Sequence, residues 1–325
     1  MLIFQRALQE CTADEGGQRG KIRRLKSAVM KHFKPFLSVL AALGFVLPGS
    51  SAVLLDDQWI DGSRNEQNLP TESAWFASTA SSLTAASGSM TGIGTTSSRL
   101  WLTYFTAGGA PATLGIGETL RATLTFTPTS VVTAPGTSRG LRIGLYNFSA
   151  AGATRLTADT FSTSGVGTNV PGYMLNMNFA QTFTIDNPLQ HMERTDVANT
   201  NLMGSTSQYT SLGTGPSGVL NSPAFASGTQ YTLEFDIIRT AADSVDVVTK
   251  FTGGSLNLAF TTSDTSGANL SFDALAIRLN NQNDAAASFN FSEFKVELLP
   301  IPEPGTLALA ALGALGWIAR KRMAR

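Results

Sequence analysis

Side chains that usually perform chemistry are scarce in this chain. Two histidines and one cysteine occur in 325 residues, and Cys11 and His32 both lie near the start. His191 is therefore the one histidine of 53–300, and a Ser-His-Asp triad would have to use it. It stands in L-Q-H-M-E-R-T-D, a polar stretch, where a lone histidine reads as a solvated surface residue. A glycosidase needs two carboxylates facing each other across a cleft. Glu234 and Asp236 share one face of a single strand instead, and read as solvent-facing charges. Gly115-Ile116-Gly117 lacks the third glycine of a nucleotide loop and reads as a turn. These residues favour a protein that is not an enzyme.

Binding chemistry is better supplied. Sugar recognition uses flat aromatic faces against C–H-rich rings, with hydrogen bonds from amides, carboxylates or guanidinium groups. Trp59 stands among Asp57, Gln58, Asp61 and Arg64, a setting that suits such a site. Tyr209, in a long polar segment, is the second candidate. Trp75 and Trp101 lie in apolar runs and read as core.

Strands must position these groups, because no helix-length amphipathic repeat stands out in 53–300. Runs at 100–105, 120–126, 141–148, 172–179, 231–239, 245–251, 255–260, 272–279 and 288–298 read as strands. In 120–126, Leu120, Ala122, Leu124 and Phe126 point one way while Arg121, Thr123 and Thr125 point the other. The last run changes parity: Phe289 and Phe291 are followed by Phe294, Val296 and Leu298, which predicts a β-bulge near Ser292-Glu293. Segment 186–222 reads as long loops with little regular structure, and 78–98 as a stretch covering an edge of the fold. Many short strands with Gly- and Pro-marked turns predict an all-β, antiparallel β-sandwich over 53–300.

The two ends of the chain carry addresses rather than folds. Lys31, His32 and Lys34 precede an apolar run at 36–47, and small residues follow at Ser50 and Ala52. That order predicts a secretory signal peptide cut after Ala52. Met30 opens a signal of ordinary length, so 1–52 is an extension plus signal, outside the fold. At the other end, 301–325, the triplet Pro302-Glu303-Pro304 and Gly305 lead into an uncharged run at 306–319. Arg320, Lys321 and Arg322 follow it. From Leu307 the run is 13 residues, about 20 Å as a helix, short against a bilayer core of roughly 30 Å. A weakly apolar span with basic residues directly after it predicts a transient transmembrane anchor whose basic end stays in the cytoplasm.

With these ends set aside, 53–300 has no cysteine, so it holds no disulfide and no thiolate metal site. It keeps 11 of the 23 basic residues and 19 of the 23 acidic ones, a net charge near −8. A domain of that sign disfavours nucleic acid as a partner.

The order Pro-Glu-Pro, apolar run, basic cluster resembles the sorting tail of PEP-CTERM proteins, which polysaccharide-producing bacteria send to their surface. The resemblance implies cutting by an exosortase-type protease and transient inner-membrane anchoring. It implies export to the cell surface, outer envelope or extracellular matrix. The flow Y-T-L-E-F-D-I-I-R, F-T-G-G-S-L, S-F-D-A-L-A-I-R-L, F-N-F-S-E-F-K-V-E-L resembles the closing strands of concanavalin-like jelly rolls, the architecture of laminin-G-type and many carbohydrate-binding modules. Residues 56–76 look like the opening of such domains. That likeness implies one structural Ca²⁺ near the paired chain ends, with Asp56, Asp57 and Glu293 as oxygen ligands; no other cofactor is expected. The expected function is non-catalytic binding of extracellular polysaccharide. A self-associating matrix protein is the rival, and a polysaccharide lyase or hydrolase on the same scaffold stands third.

Overall fold

A computed structural model describes residues 51–300. The predicted signal, the span at 306–319 and the sorting residues Pro302 to Arg322 lie outside the described residues. Among the described residues no helix is long and apolar enough to cross a membrane.

The chain runs β1 (Ala52–Asp57), β2 (Trp75–Ala77), β3 (Leu83–Ala86), β4 (Ser89–Ile93), β5 (Arg99–Tyr104) and β6 (Ala112–Thr113). It continues through β7 (Thr119–Thr129), β8 (Leu141–Tyr146), β9 (Gly172–Met177), β10 (Leu189–Arg194) and β11 (Tyr209–Gly215). It closes with β12 (Tyr231–Ala241), β13 (Ser244–Gly253), β14 (Leu256–Asp264), β15 (Ser271–Phe272), β16 (Ala274–Leu279) and β17 (Ser288–Leu299). One large sheet has the order β14-β13-β12-β7-β17-β4-β3, with β1 also paired to β17; the second runs β11-β10-β9-β8-β16-β5-β2, and β15 and β6 form a separate two-stranded sheet. Every pairing is antiparallel. The described residues therefore form the all-β sandwich that their alternating runs predict.

Alternation explains how the eight-stranded sheet forms. In β7 the even positions Leu120, Ala122, Leu124 and Phe126 are buried and the odd ones half-buried. Tyr231, Leu233, Phe235 and Ile237 of β12 bury the same face. The Phe126 ring meets Phe179, Tyr231, Phe289 and Phe291 at centroid separations of 5.9–6.2 Å, a tilted and edge-on aromatic centre between the sheets. In β17 the register against β7 shifts between Phe291 and Glu293, so the predicted bulge is present. The extra residue lets Phe291 and Phe294 both face inward. Gly92 admits the Trp101 ring against its backbone, since a Cβ there would come within 2.5 Å of the indole.

Two expectations need correction. Segment 186–222 is no loop: it contains β10 and β11, which form one side of the seven-stranded sheet. Segment 78–98 does not cover an edge but becomes one, folding into a short 3₁₀ turn, β3 and β4, which extend the eight-stranded sheet beyond β17.

Candidate functional site

His191 is wholly buried, not solvated. It lies on the inward face of β10, opposite Leu175 of β9. Its Nδ1 lies 2.9 Å from Thr262 Oγ1 and its Nε2 2.7 Å from Thr249 Oγ1, while its ring packs against Phe260 at 4.6 Å. Burial alone lowers its pKa to about 3, so the ring is neutral. A catalytic base needs an orienting partner and access to substrate, and this one joins two threonines inside the sandwich. Sequence reasoning also missed a G-x-S-x-G string, Gly136-Thr137-Ser138-Arg139-Gly140. It leads into strand β8 rather than a helix, and the Ser138 carbonyl accepts a hydrogen bond from Asn178 Nδ2 at 2.7 Å. The context of a nucleophile elbow is missing. Asp236 differs from expectation too, whereas Glu234 is the solvent-facing charge expected. Asp236 is buried because Arg121 clamps both its oxygens at 2.9 and 2.7 Å, while Glu234 meets Lys250 at 3.3 Å.

Trp59 and Tyr209 do not offer open faces. Trp59 is 1% exposed and packs on Trp75, with ring centroids 6.2 Å apart. Its backbone sits at φ 51°, a turn conformation held by Asp57, whose Oδ1 accepts the Trp59 N–H at 3.0 Å. Tyr209 is 7% exposed. Its hydroxyl donates to the Leu202 carbonyl, so Tyr146, 2.9 Å away, must donate to Tyr209.

The proposed calcium ligands do not form one donor set, because successive residues of a strand face opposite ways. Asp57 points inward and accepts from Trp59 N, Ser73 N and Ser73 Oγ. Asp56 lies on the outer face, where its register partner is Lys295. The Lys295 ammonium lies 2.9 Å from Glu297, and its pKa is raised first by that contact, then by the charges of Asp56 and Glu293. A lysine thus already supplies the positive charge that a cation would bring.

The outward face of the seven-stranded sheet holds what the sequence reading did not find. Strands β5, β8, β9 and β16 are buried almost throughout, on both faces. The segments at 147–171 and 195–208 lie over part of the outward face and close a second apolar cluster. Leu102, Tyr104, Tyr146, Met174 and Met192 come from the sheet, Phe148, Val166, Val170, Leu202 and Met203 from the covering segments. Arg194 pins both covers: Nη1 donates to Asn201 O and Leu202 O, and Nη2 to Gly167 O and Asn199 O, at 2.6–2.9 Å. Gly167 must lack a side chain here, since a Cβ would meet Leu202 N at 2.7 Å. Arg64 ties the front of the chain to the first cover through Asp159 at 2.6 Å.

Beside that apolar cluster, one polar row crosses five strands in register. It runs Thr214, Gln190, Asn176, Arg142, Arg278 on β11, β10, β9, β8 and β16. Asn176 Nδ2 donates to Gln190 Oε1, and Arg142 Nε donates to Asn176 Oδ1, both at 3.2 Å. Arg142 also donates to the carbonyl of Met203 at the rim of the second cover. Amide and guanidinium groups of this kind recognise hydroxyl and carboxylate oxygens.

The tail remains, with its Pro302-Glu303-Pro304 triplet, apolar run and basic end. Residues 300–322 match the PEP-CTERM protein-sorting motif. A PEP-CTERM tail marks a protein that is exported and held transiently in the membrane before sorting. The match covers the tail and leaves the sandwich unassigned. No curated protein matches the chain. Solved structures similar to it include peanut lectin (9% identity, TM-score 0.41, covering 77% of this chain and 98% of that one). A carbohydrate esterase from Shiga toxin-encoding bacteriophage phi24B is similar at 17% identity and TM-score 0.39, covering 77% and 100%. The Ca²⁺-bound exoplasmic/lumenal domain of VIP36 is similar at 13% identity and TM-score 0.43, covering 78% and 92%.

Two open hollows lie elsewhere on the sandwich. One of about 600 Å³ is lined by Phe225, Tyr231, Gln181 and Gly254. The other, about 400 Å³, is lined by Val53, Leu54, Leu69, Phe105 and Leu298, where β1 and β17 bring the two ends of the sandwich together. Asp61, Glu66 and Glu72 gather three carboxylates within 4.8 Å of one another on the surface.

Proposed function

We propose that this exported protein is a non-catalytic binding module for extracellular polysaccharide. The observation that carries the reading is the in-register row Gln190, Asn176, Arg142, Arg278 on the outward face of the seven-stranded sheet. It sets four planar polar groups side by side at the rim of the covering segments, with Gln190 half-buried and Asn176, Arg142 and Arg278 less than a tenth exposed, and such groups match the oxygens of a sugar chain that reaches this rim. This moves the binding surface away from Trp59 and Tyr209. In the same reading, the signal before Ala52 and an exosortase-type protease acting at Pro302 to Gly305 deliver the sandwich to the surface or matrix. The full chain, applied to a glycan array and to the producing cell's own polysaccharide, retains sugar in at least one assay. Blank results in both refute the reading.

One observation favours a second reading, self-association. β14 is a nine-residue edge strand carrying no charge before Asp264 and no proline, so one side of its backbone is open to another strand. Light scattering over a range of protein concentrations, without sugar, separates the two: concentration-dependent growth supports assembly, and a constant mass excludes it.

A further inference from the structure

Within the polar row, two residues stand out by their charge. Arg142 and Arg278 are direct cross-strand partners on β8 and β16, and each is only 8% exposed. Side chains so placed share one face with Cβ atoms about 5 Å apart, a position where like charges repel. Among the described residues, no carboxylate comes within ion-pair distance of either guanidinium. Arg64, Arg121 and Arg155 each have an aspartate instead, and Arg194, which has none, has four backbone carbonyls.

Their hydrogen-bond partners are few and neutral. Arg142 donates to Asn176 Oδ1 and the Met203 carbonyl. Arg278 donates to Asn280 Oδ1, and its buried Nε–H has no partner. Burial pushes the pKa of Arg278 down to about 10, with the neighbouring Arg142 charge adding to the effect; burial also lowers that of Arg142. Both remain cationic at neutral pH. Two buried cations held together without a counter-charge raise the energy of the empty face, and one oxyanion between them removes that repulsion while taking up free N–H groups. Guanidinium groups suit this because their planar forks grip carboxylate or sulfate through two parallel hydrogen bonds.

We propose that Arg142 and Arg278 form an oxyanion subsite, and that its occupant is the carboxylate or sulfate group of an acidic polysaccharide. The glycan part rests on the function proposed above, whereas the oxyanion part rests on the arginine pair alone. The acidic domain around it makes the site selective: a net charge near −8 repels polyanions in general, so an acidic chain gains only where this pair meets it.

The test uses the full chain in a neutral detergent and titration calorimetry with three probes: a tetragalacturonate, a neutral glucan tetramer and inorganic sulfate. The acidic oligomer is expected to bind at least tenfold more tightly than the neutral one. Arg278→Gln should remove that preference without lowering the melting temperature of the ligand-free protein, because it also removes the repulsion. Arg278→Lys keeps the charge but not the fork, and should lose most of the preference; it serves if the glutamine variant folds poorly. Equal binding of acidic and neutral oligomers, unchanged in both variants, overturns the subsite while leaving polysaccharide binding intact. Sulfate binding with no oligomer binding overturns the glycan occupant and reduces the pair to a site for a free ion. No response to any probe overturns the whole proposal.

Discussion

The outward faces of the two sheets were built on opposite plans. On the eight-stranded sheet, outward side chains meet water and settle their charges with one another. Arg121 clamps Asp236 and reaches Glu234, which meets Lys250, and Lys295 pairs with Glu297. On the seven-stranded sheet, two covering segments exclude water, and the guanidinium of Arg194 is answered by four backbone carbonyls rather than a carboxylate. A charge on the first face has solvent as an alternative partner; a charge beneath the covers, such as Arg194, has none. The two plans predict very different sensitivities to the same kind of substitution.

The largest difference should appear on removing one arginine from each face. Arg194→Ala takes a buried cation from the carbonyls of both covering segments, and should cost about 3–5 kcal/mol, the scale of breaking a buried charged contact. Arg121→Ala uncovers Asp236 to water, which replaces the lost partner, so a loss of about 1 kcal/mol is expected. Urea unfolding of the full chain reads both. Proteolysis should cut within 195–208 in the Arg194 variant alone. Equal losses would mean that the covers contribute no more than an exposed ion pair.

Apolar substitution tests the same contrast at smaller scale. Leu102 faces outward from β5 yet is fully buried under the covers. Leu102→Ala should cost about 3 kcal/mol, as in an ordinary core. Thr123→Ala, outward on β7, should change stability by no more than about 0.5 kcal/mol. If Leu102→Ala is as mild as the threonine change, the second cluster does not pack as a core.

This contrast also governs what could be read from the sequence. β7, β12 and β17 were legible because one face is wet and one dry, which writes period-2 alternation into the chain; even the bulge at Ser292 showed as a break in parity. β10 was not legible. Its sequence, L-Q-H-M-E-R, places His191 against threonines on one side and Arg194 against loop carbonyls on the other, so polar residues fill a strand that is largely buried. Tyr209 and Trp59 failed as exposed candidates for a related reason: polar neighbours in sequence do not forecast a cover supplied by residues far away in the chain. The Arg142–Arg278 pair arises only from the register of β8 on β16, which no local pattern carries.

Between the sheets, β10 holds two inward groups with opposite pH responses. His191 has its pKa lowered from 6.5 to about 3, so the unfolded chain takes up its proton first as pH falls. Stability from this residue is present above about pH 6.5 and is lost from there towards pH 3. Glu193 has its pKa raised from 4.5 to about 7, by burial first and then by Asp264. Its contribution is present below pH 4.5 and is lost as pH rises through about 7. Glu193→Gln should therefore raise the urea midpoint at pH 8 and not at pH 4, while His191→Gln should flatten the acid limb between pH 6.5 and 3. A Glu193 variant with the same gain at both pH values would remove the linkage.

The smallest expected effect concerns calcium on the open face. Lys295 stands beside Asp56, Glu293 and Glu297, so an added cation would have to displace an ammonium that is already in place. Millimolar calcium should leave the melting temperature of the unaltered protein unchanged. Lys295→Gln removes the ammonium and leaves the carboxylates facing water, a weak oxygen site of the kind that binds calcium near the millimolar range. At a calcium concentration equal to Kd the gain is only about 0.4 kcal/mol, small but resolvable as a calcium-dependent melting shift in the variant that EDTA reverses. A shift of equal size in the unaltered protein would mean that calcium binds despite the lysine, and would restore a metal site at the paired ends of the sandwich.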